Sequence, residues 1–460
     1  MNKIPSQVFC PSASPSSFLS ILSVCRSCFT EPTFRIFCLI ACGWISTPGH
    51  WAVTACLVVT GMSGQRHHSA FHRFFAESKW SIDEVGRTIF NFLCERVIPR
   101  DVSIQFVIDD SLAKKRGKNI FGLGTHIDAV NSTRGWRIFA FGHCWVVLSI
   151  VVWFPWSNRP WALPVAFRLY RQKKTIEAER DYKKKTELAA ELIALLRSWA
   201  PDDRRLNGLV DEAYFNATTL KTLPDNVHLI GAIRPDAVLT AGVRGSKHAN
   251  GRPRVRGERL PKPKEIAQGS SRPWMTVACS IYRTVEEVTY KYLHAQWYRG
   301  AGARLMAFVI VKSRCGEIPF RVYVSTDPSL SAKQMIELFA CRWPTEQTFR
   351  DLKQYLGFSA PQSRTPLAVE RTAPLVGMLY SLCVVWFHLH VAGTNTPIFP
   401  IRPWYTKKRH PSFPDILGVA QRAAMQSGVF DPANNSNNLQ NPNGAPSVVP
   451  YRTPEESPRG

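Results

Sequence analysis

The distribution of apolar positions divides the chain into a helical first part and a second part that begins as a sheet. Before about residue 100, apolar stripes separated by turn residues predict helices. Residues 36–65 carry no Lys, Arg, Asp or Glu, but the turn cluster at 46–50 splits them into two apolar pieces. Each piece is shorter than the roughly 20 residues that a membrane-spanning helix needs. The pattern therefore predicts a helical hairpin.

From about residue 104 the pattern changes to short apolar runs rich in β-branched and aromatic residues, which predict strands near 104–108, 143–153 and 161–169. A helix over 174–199 follows, because Leu188, Leu192, Leu195 and Trp199 recur at helical spacing. A fourth strand is predicted at 209–210, immediately before Asp211. This order of elements predicts an α/β fold built on a mixed sheet.

Between 216 and 303 no regular pattern is evident, and residues 244–264 are rich in Arg, Lys, Pro and Gly. Two interpretations of that basic stretch stay open: a solvated loop, or an arm whose Arg254 and Arg256 follow a phosphate backbone. Residues 305–311 and 320–324 predict paired strands that lead into a helix carrying Glu346. Pro and Asn accumulate beyond residue 390, and the last thirty residues predict a disordered tail.

Charge changes this picture by indicating a partner. The chain has 58 Lys and Arg against 34 Asp and Glu, a formal net charge of +24 that is spread along its length. Such an excess favours a polyanion, with nucleic acid preferred to an anionic membrane because the apolar runs predict a hairpin and a buried strand. The N-terminus does not have the pattern of a signal peptide, and the 12 cysteines form no disulfide-type framework. We therefore expect a cytoplasmic protein without membrane insertion.

Candidate chemistry lies in acids that three separate elements could bring together. Asp109 or Asp110 ends the first strand, Asp211 ends the fourth, and Glu346 lies on the helix after the last hairpin. Phosphodiester cleavage by two divalent ions requires carboxylates that converge in this way, since they must hold and neutralise two dications.

The surroundings of Glu346 make it the most distinctive of these acids. Phe339, Arg342, Glu346 and Lys353 are spaced by 3, 4 and 7 residues, which would place all four on one face of a regular helix. Cations beside a metal-binding acid can hold phosphates while the acid holds the metal. Pro344 removes a helical N–H, so we expect a helix to begin or kink there.

These residues resemble a known family. Phe339, Arg342, Glu346 and Lys353 follow the Tyr-x2-Arg-x3-Glu-x6-Lys signature of DDE insertion-sequence transposases, with Phe in place of Tyr. The resemblance covers about residues 15–420. Similarity to the family's three acidic blocks is found at 108–112, 210–214 and 342–354, and to its terminal regions at 43–45, 67–75, 402–405 and 411–417.

The resemblance implies a ribonuclease-H-like mixed-sheet core with an inserted, largely β subdomain and a helical N-terminal region. It implies the following division: a helical DNA-binding region at 1–100, core segments at 101–215 and 304–390, the insertion at 216–303, and a C-terminal segment at 391–460. The implied partners are double-stranded DNA, as transposon terminal repeats and target, and a second copy of the chain on paired ends. The implied location is the bacterial nucleoid.

The resemblance also implies roles for individual residues. Asp109, Asp211 and Glu346 would ligate two Mg²⁺ ions, for which Mn²⁺ could substitute; Asp110 stays open as the alternative first acid, although the family's spacing to Ser111 favours Asp109. Phe339 lacks the family's tyrosine hydroxyl, which leaves packing or base contact. A catalytically inactive, transposase-derived DNA-binding protein is the alternative function. The predicted DNA contacts are Arg342, Lys353, Phe339, Arg350, Lys114, Lys115, Arg254 and Arg256.

Overall fold

The structure is a computed structural model, and it describes residues 18–426 except 118, 134, 177–180, 243–254, 314–318, 395–397, 400–403 and 405–407. Arg254 and the predicted disordered tail lie outside the described residues.

The first described part of the chain is helical, as its apolar stripes predict. Its helices are Leu19–Leu22 (α1), Glu31–Ser46 (α2), Val53–Val59 (α3), Ser69–Ala76 (α4) and Ile82–Arg96 (α5), with a 3-10 turn at Ser23–Cys28. The turn at 47–52 reverses the chain so that α2 and α3 pack together, which confirms the helical hairpin. Ser81 caps α5, since its hydroxyl accepts a hydrogen bond from the Glu84 backbone N–H.

A mixed sheet follows, and its centre has the ribonuclease-H-like order. The elements are Ile104–Lys114 (β1), Gly124–Ile127 (β2), Phe139–Val152 (β3), Trp161–Tyr170 (β4), Lys185–Trp199 (α6), Leu206–Val210 (β5), Ala217–Lys221 (α7) and Val227–Ile233 (β6). Strand β1 pairs antiparallel with β3, and β3 pairs antiparallel with β4. On the other side of β1, β5 runs parallel to β1, and β6 runs parallel to β5. The α/β fold class is therefore confirmed.

Helix α6 begins eleven residues after the predicted start at 174. Lys184 is extended, and its backbone N–H donates to the Glu187 carboxylate at 2.6 Å, which fixes the helix start there. The apolar stripe used for the prediction, Leu188 to Trp199, lies entirely within the observed helix.

The expectation of no regular pattern over 216–303 is wrong, because β6 and two further strands lie there. The next elements are Pro263–Gln268 (α8), Met275–Ile281 (β7), Thr284–Gln296 (β8), Tyr298–Ala301 (α9), Leu305–Lys312 (β9) and Phe320–Ser325 (β10). Their strands form an antiparallel extension of the same sheet, which begins at β6 and follows the order β6-β10-β9-β8-β7. The β content expected of the insertion is present.

Residues 339–353 span two helices, and the helix start expected at Pro344 is confirmed. Ala332–Ala340 (α10) ends before Cys341, and Pro344–Tyr355 (α11) begins at the proline, which stands at the first helical position where its missing N–H costs nothing. Arg342 therefore lies in the connection between the helices.

Two more helices complete the fold: Pro366–His390 (α12) and Phe413–Met425 (α13). Among the described residues, α12 is the one helix long and apolar enough to cross a membrane. However, 89% of its apolar window is buried within the protein. The Ser381 hydroxyl, midway along it, donates to the Pro164 carbonyl of β4 at 2.8 Å. This burial is typical of a central core helix.

The N-terminal and C-terminal helices share one hydrophobic cluster with the central sheet, which runs from Phe18 to Ala424. Trp44 of α2 donates its indole N–H to the Leu356 carbonyl, just after α11, at 2.9 Å. Helix α13 also packs on α2. This packing holds α11, and with it Glu346, in a fixed position over the sheet.

Candidate active site

Two of the predicted acids lie side by side where the parallel pairing of β1 and β5 ends. The prediction that Asp109 or Asp110 ends the first strand is wrong, because β1 continues to Lys114 by antiparallel pairing with β3. Ile108 is opposite Val210 in the β1–β5 register, so Asp109 and Asp211 occupy the next positions on neighbouring strands. Strand alternation places them on the same face as Val107 and Leu209. Those two residues pack in a small cluster with Cys341 and Phe339. Asp109 and Asp211 therefore face the connection between α10 and α11.

Arg342 links this pair of acids to the third. Its Nη1 donates to Asp109 Oδ2 at 3.1 Å, and its Nη2 donates to Glu346 Oε1 at 2.9 Å. The arginine and Asp109 side chains are largely buried, whereas Glu346 is 41% exposed. Because Glu346 lies in the first turn of α11, the i,i+4 ion pair forms despite the break at Pro344. One guanidinium thus joins the acids of β1 and α11.

Burial dominates the electrostatics of Asp109 and Asp211. Burial raises the pKa of Asp109 to about 7; Arg342 opposes that rise, and the neighbouring Asp211 and Asp110 charges add to it. Burial also raises the pKa of Asp211. A cation placed between them would favour the charged form of both carboxylates.

Asp110 points to the opposite face of the sheet. Its Oδ2 accepts from Lys185 Nζ at 2.7 Å and from Cys144 Sγ at 3.3 Å, and its Oδ1 accepts from the Tyr214 hydroxyl at 2.9 Å. Burial alone would raise the pKa of Asp110, but the Lys185 ammonium and the Tyr214 hydrogen bond hold it below its usual value. Asp109 is the residue of this pair that meets Arg342.

Two residues of this region were missed by sequence reasoning, Lys185 and Tyr214. Tyr214 contacts an acid beside each of the two strands: its backbone N–H donates to Asp211 Oδ1 at 3.0 Å, and its hydroxyl donates to Asp110 Oδ1. Its place three residues after Asp211 was a signal for such a local hydrogen bond. Lys185 carried no signal, since its partner is 75 residues away and it fell inside a longer predicted helix.

The acids offer the oxygen donors that divalent cations of the Mg²⁺ type prefer. Among the described residues, no group of three or more His, Cys, Asp or Glu side chains could hold a metal ion as they stand. Arg342 lies between Asp109 and Glu346 and supplies the positive charge there. Asp109 and Asp211 offer carboxylate oxygens to a cation from neighbouring strands, whereas the Glu346 carboxylate is engaged by the guanidinium.

Of the residues predicted to contact DNA, those near α11 lie at or beside the site. Arg342 is at its centre, and Arg350 is exposed, with one guanidinium N–H on Gln347. Lys353 lies two turns beyond Glu346, and burial lowers its pKa, an effect that the Asp128 charge opposes and the Lys114 charge reinforces. The Phe339 ring packs on Tyr323 of β10, with ring centroids 4.3 Å apart. That contact is the packing role left to it without a hydroxyl.

The other predicted DNA contacts are divided between surface and interior. Lys114 is exposed and pairs with Asp128 at 2.6 Å. Lys115 turns inward, where its ammonium donates to the carbonyls of Ser359 and Pro361, and burial lowers its pKa to about 8. Arg256 is exposed, with its guanidinium 5.3 Å from the centre of the Tyr298 ring. The Lys115 ammonium therefore has an interior structural contact instead of a surface position.

Comparisons with known proteins bear on this geometry. Residues 26–303 match the family described as DDE superfamily endonuclease. The match includes Asp109 and Asp211 and ends before α10. Among solved structures, the chain is similar to the piggyBac transposase synaptic complex with hairpin DNA, determined by cryo-electron microscopy. The two are 12% identical, the alignment covers 94% of this chain and 87% of that chain, and the TM-score is 0.39. No curated protein matches the chain.

Proposed function

The chain belongs to the DDE superfamily endonucleases, and from that membership we propose that it is a DNA transposase, which cuts the ends of a mobile element and joins them to target DNA. The observation that carries this proposal is the arrangement around Arg342, which contacts Asp109 and Glu346 over the sheet face that also presents Asp211. The Tyr-Arg-Glu-Lys signature and an insertion-sequence origin are the finer part of the proposal.

Asp109, Asp211 and Glu346 would hold the divalent ions, two Mg²⁺ by this proposal with Mn²⁺ as a substitute. When bound, such ions supply a nucleophile at neutral pH and stabilise the charge that develops on the phosphate. The chain's own contribution is placement. Strands β1 and β5 fix the two aspartates in register, and α11 presents Glu346 from above the sheet.

Arg342 has the chemistry to receive the scissile phosphate. Its guanidinium already donates to carboxylate oxygens on both sides of the site, and the same donor geometry suits phosphate oxygens. It would hold the phosphate beside the acids and offset its charge. Asp109 adds a second property, because burial raises its pKa to about 7 and protons therefore compete for this carboxylate near neutral pH.

The proposed partner is double-stranded DNA, as element ends and as target, bound by a homodimer on paired ends. The net charge of +24 supports a polyanionic partner. A cytoplasmic, nucleoid-associated location without membrane insertion is proposed on the same ground, and burial of α12 within the core is consistent with it.

A catalytically inactive DNA-binding protein derived from a transposase is the second candidate. Two observations favour it: Arg342 separates Asp109 from Glu346, and Phe339 has packing in place of a phosphate contact.

Cleavage of a labelled duplex that carries the native DNA flanking the coding region, with Mg²⁺ and with EDTA, separates the two candidates. We expect Mg²⁺-dependent nicking by the wild type and its loss in Glu346→Gln. Glu212→Gln, a change at an exposed acid next to Asp211, is the matched control and should nick like the wild type. Binding without any nicking by the wild type would favour the inactive protein.

A further inference from the structure

The hairpin formed by β2, the start of β3 and the described residues between them (124–133 and 135–142, here the β2–β3 hairpin) exposes an unusual amount of apolar surface. Trp136 is 73% exposed and Val130 is 87% exposed. Other large apolar side chains exposed on the same hairpin are Ile127, Ile138, Phe139 and Phe141. Apolar side chains grouped in this way on a surface mark an interaction site.

The apolar surface is held in a defined conformation. In the β2–β3 register Ile127 lies opposite Phe139, and alternation places Phe141 on the same face. The loop is tied across its base by the Asp128 N–H, which donates to the Ile138 carbonyl at 2.8 Å. Near its tip, backbone hydrogen bonds join Thr133 and Trp136 in both directions. The hairpin therefore presents its aromatic side chains outward.

Charge on and beside the hairpin selects the class of partner. Residues 114–138 contain six Lys and Arg and one acid, Asp128. The Asp128 carboxylate is already neutralised by Lys114 at 2.6 Å. Two such basic surfaces would repel each other, whereas a nucleic acid offers phosphates to the cations and bases to the aromatic rings.

The hairpin is also continuous with the candidate active site. Strand β1, which carries Asp109, runs on to Lys114, and Lys114 pairs with Asp128 at the base of the hairpin. On β3, Val147 is level with Asp109, and Phe141 and Phe139 are six and eight residues beyond it. That separation is about 20–27 Å along the strand, which equals about six to eight base pairs of duplex.

We propose that the β2–β3 hairpin is a DNA-binding wedge, in which Phe139 contacts bases in a groove about eight base pairs from the scissile phosphate, Trp136 contacts bases beyond Phe139, and the exposed Arg137 contacts the flanking backbone. The inference rests on the proposed function for its substrate. It adds a second contact surface, separate from the residues that carry the chemistry.

Equilibrium binding to a 30-base-pair duplex of random sequence tests the wedge, with full-length protein and without Mg²⁺. Fluorescence anisotropy gives the affinity, and 2-aminopurine in the duplex reports unstacking of bases. We expect Trp136→Ala and Phe139→Ser each to weaken binding by about tenfold and to abolish the rise in 2-aminopurine fluorescence. Neither change should alter the salt dependence, whereas Arg137→Ala should lower the slope of log affinity against log salt by about one.

Val285→Ser is the matched control. Val285 is 74% exposed on the β7–β8 hairpin, at the opposite edge of the same sheet, and its replacement should leave the affinity unchanged.

Three results would overturn the proposal. The first is absence of duplex binding by the wild type, and the second is wild-type affinity in both Trp136→Ala and Phe139→Ser. The third is unchanged duplex affinity in Trp136→Ala together with a change from dimer to monomer by light scattering, which would assign the surface to a second copy. Since nicking is not measured, a wild type that binds but never cleaves would refute the proposed function and leave this test intact.

Discussion

Tyr214→Phe removes the hydroxyl group that donates a hydrogen bond to Asp110. The side chain is 1% exposed, and its hydroxyl donates to Asp110 at 2.9 Å. A hydrogen bond to a charged group contributes about 1.5–3 kcal/mol to stability. Asp110 keeps Lys185 and Cys144 on its other oxygen, so we expect a loss in the lower half of that range, about 1.5–2 kcal/mol.

Urea unfolding followed by circular dichroism at pH 7.5 measures this loss. Tyr323→Phe is the control, because the Tyr323 hydroxyl has no hydrogen bond to any described residue and the ring packs on Phe339. The control should stay within about 0.5 kcal/mol of the wild type. If Tyr214→Phe is equally close to the wild type, or if the control loses as much, the assigned role of the Tyr214 hydroxyl is refuted.

Further predictions concern the two lysines that turn inward. Lys185→Met should lower the free energy of unfolding by about 2 kcal/mol, less than the loss of a fully buried pair, because the Lys185 and Asp110 side chains are 34% and 28% exposed. The double variant Lys185→Met/Asp110→Asn should lose less free energy of unfolding than the sum of the two single losses. Because folding lowers the pKa of Asp110, its contribution to the free energy of unfolding should disappear as the pH falls below about 4. For Lys115, whose pKa falls to about 8 on burial, the unfolded chain binds more protons above that pH. The stability of the wild type relative to Lys115→Met should therefore rise from pH 8 towards pH 10.5, and unchanged relative stability would contradict the buried position.

The strands and helices that depend on local pattern were predictable from the sequence. Strands β3, β4, β9 and β10 and the α2–α3 hairpin lie where their apolar runs predicted. Strand β6 was not predicted, because it owes its place to parallel pairing with β5 and to β10, far along the chain. Pro344 indicated the break before α11, but the position of Arg342 in the connection was a matter of tertiary structure.

The candidate site shows the same division between local and distant causes. Three acids and their order along the chain were predictable, yet Phe106, Val107 and Ile108 are all apolar, so alternation could not choose between Asp109 and Asp110. That choice depends on which face meets Arg342, 233 residues later, and which meets Lys185, 75 residues later. The roles of these acids in catalysis and metal binding stay predictions.

If Asp109, Asp211 and Glu346 form the active site of a transposase, excision of DNA by the protein depends on each of these three acids. The measurement uses a plasmid carrying the coding region with its native flanking DNA, incubated with purified protein and Mg²⁺ and analysed for excised ends. We predict excision by the wild type and by Glu212→Gln, and at least a hundredfold less by Asp211→Asn, although Asp211→Asn still binds the plasmid. Excision by Asp211→Asn at the wild-type rate would contradict the account.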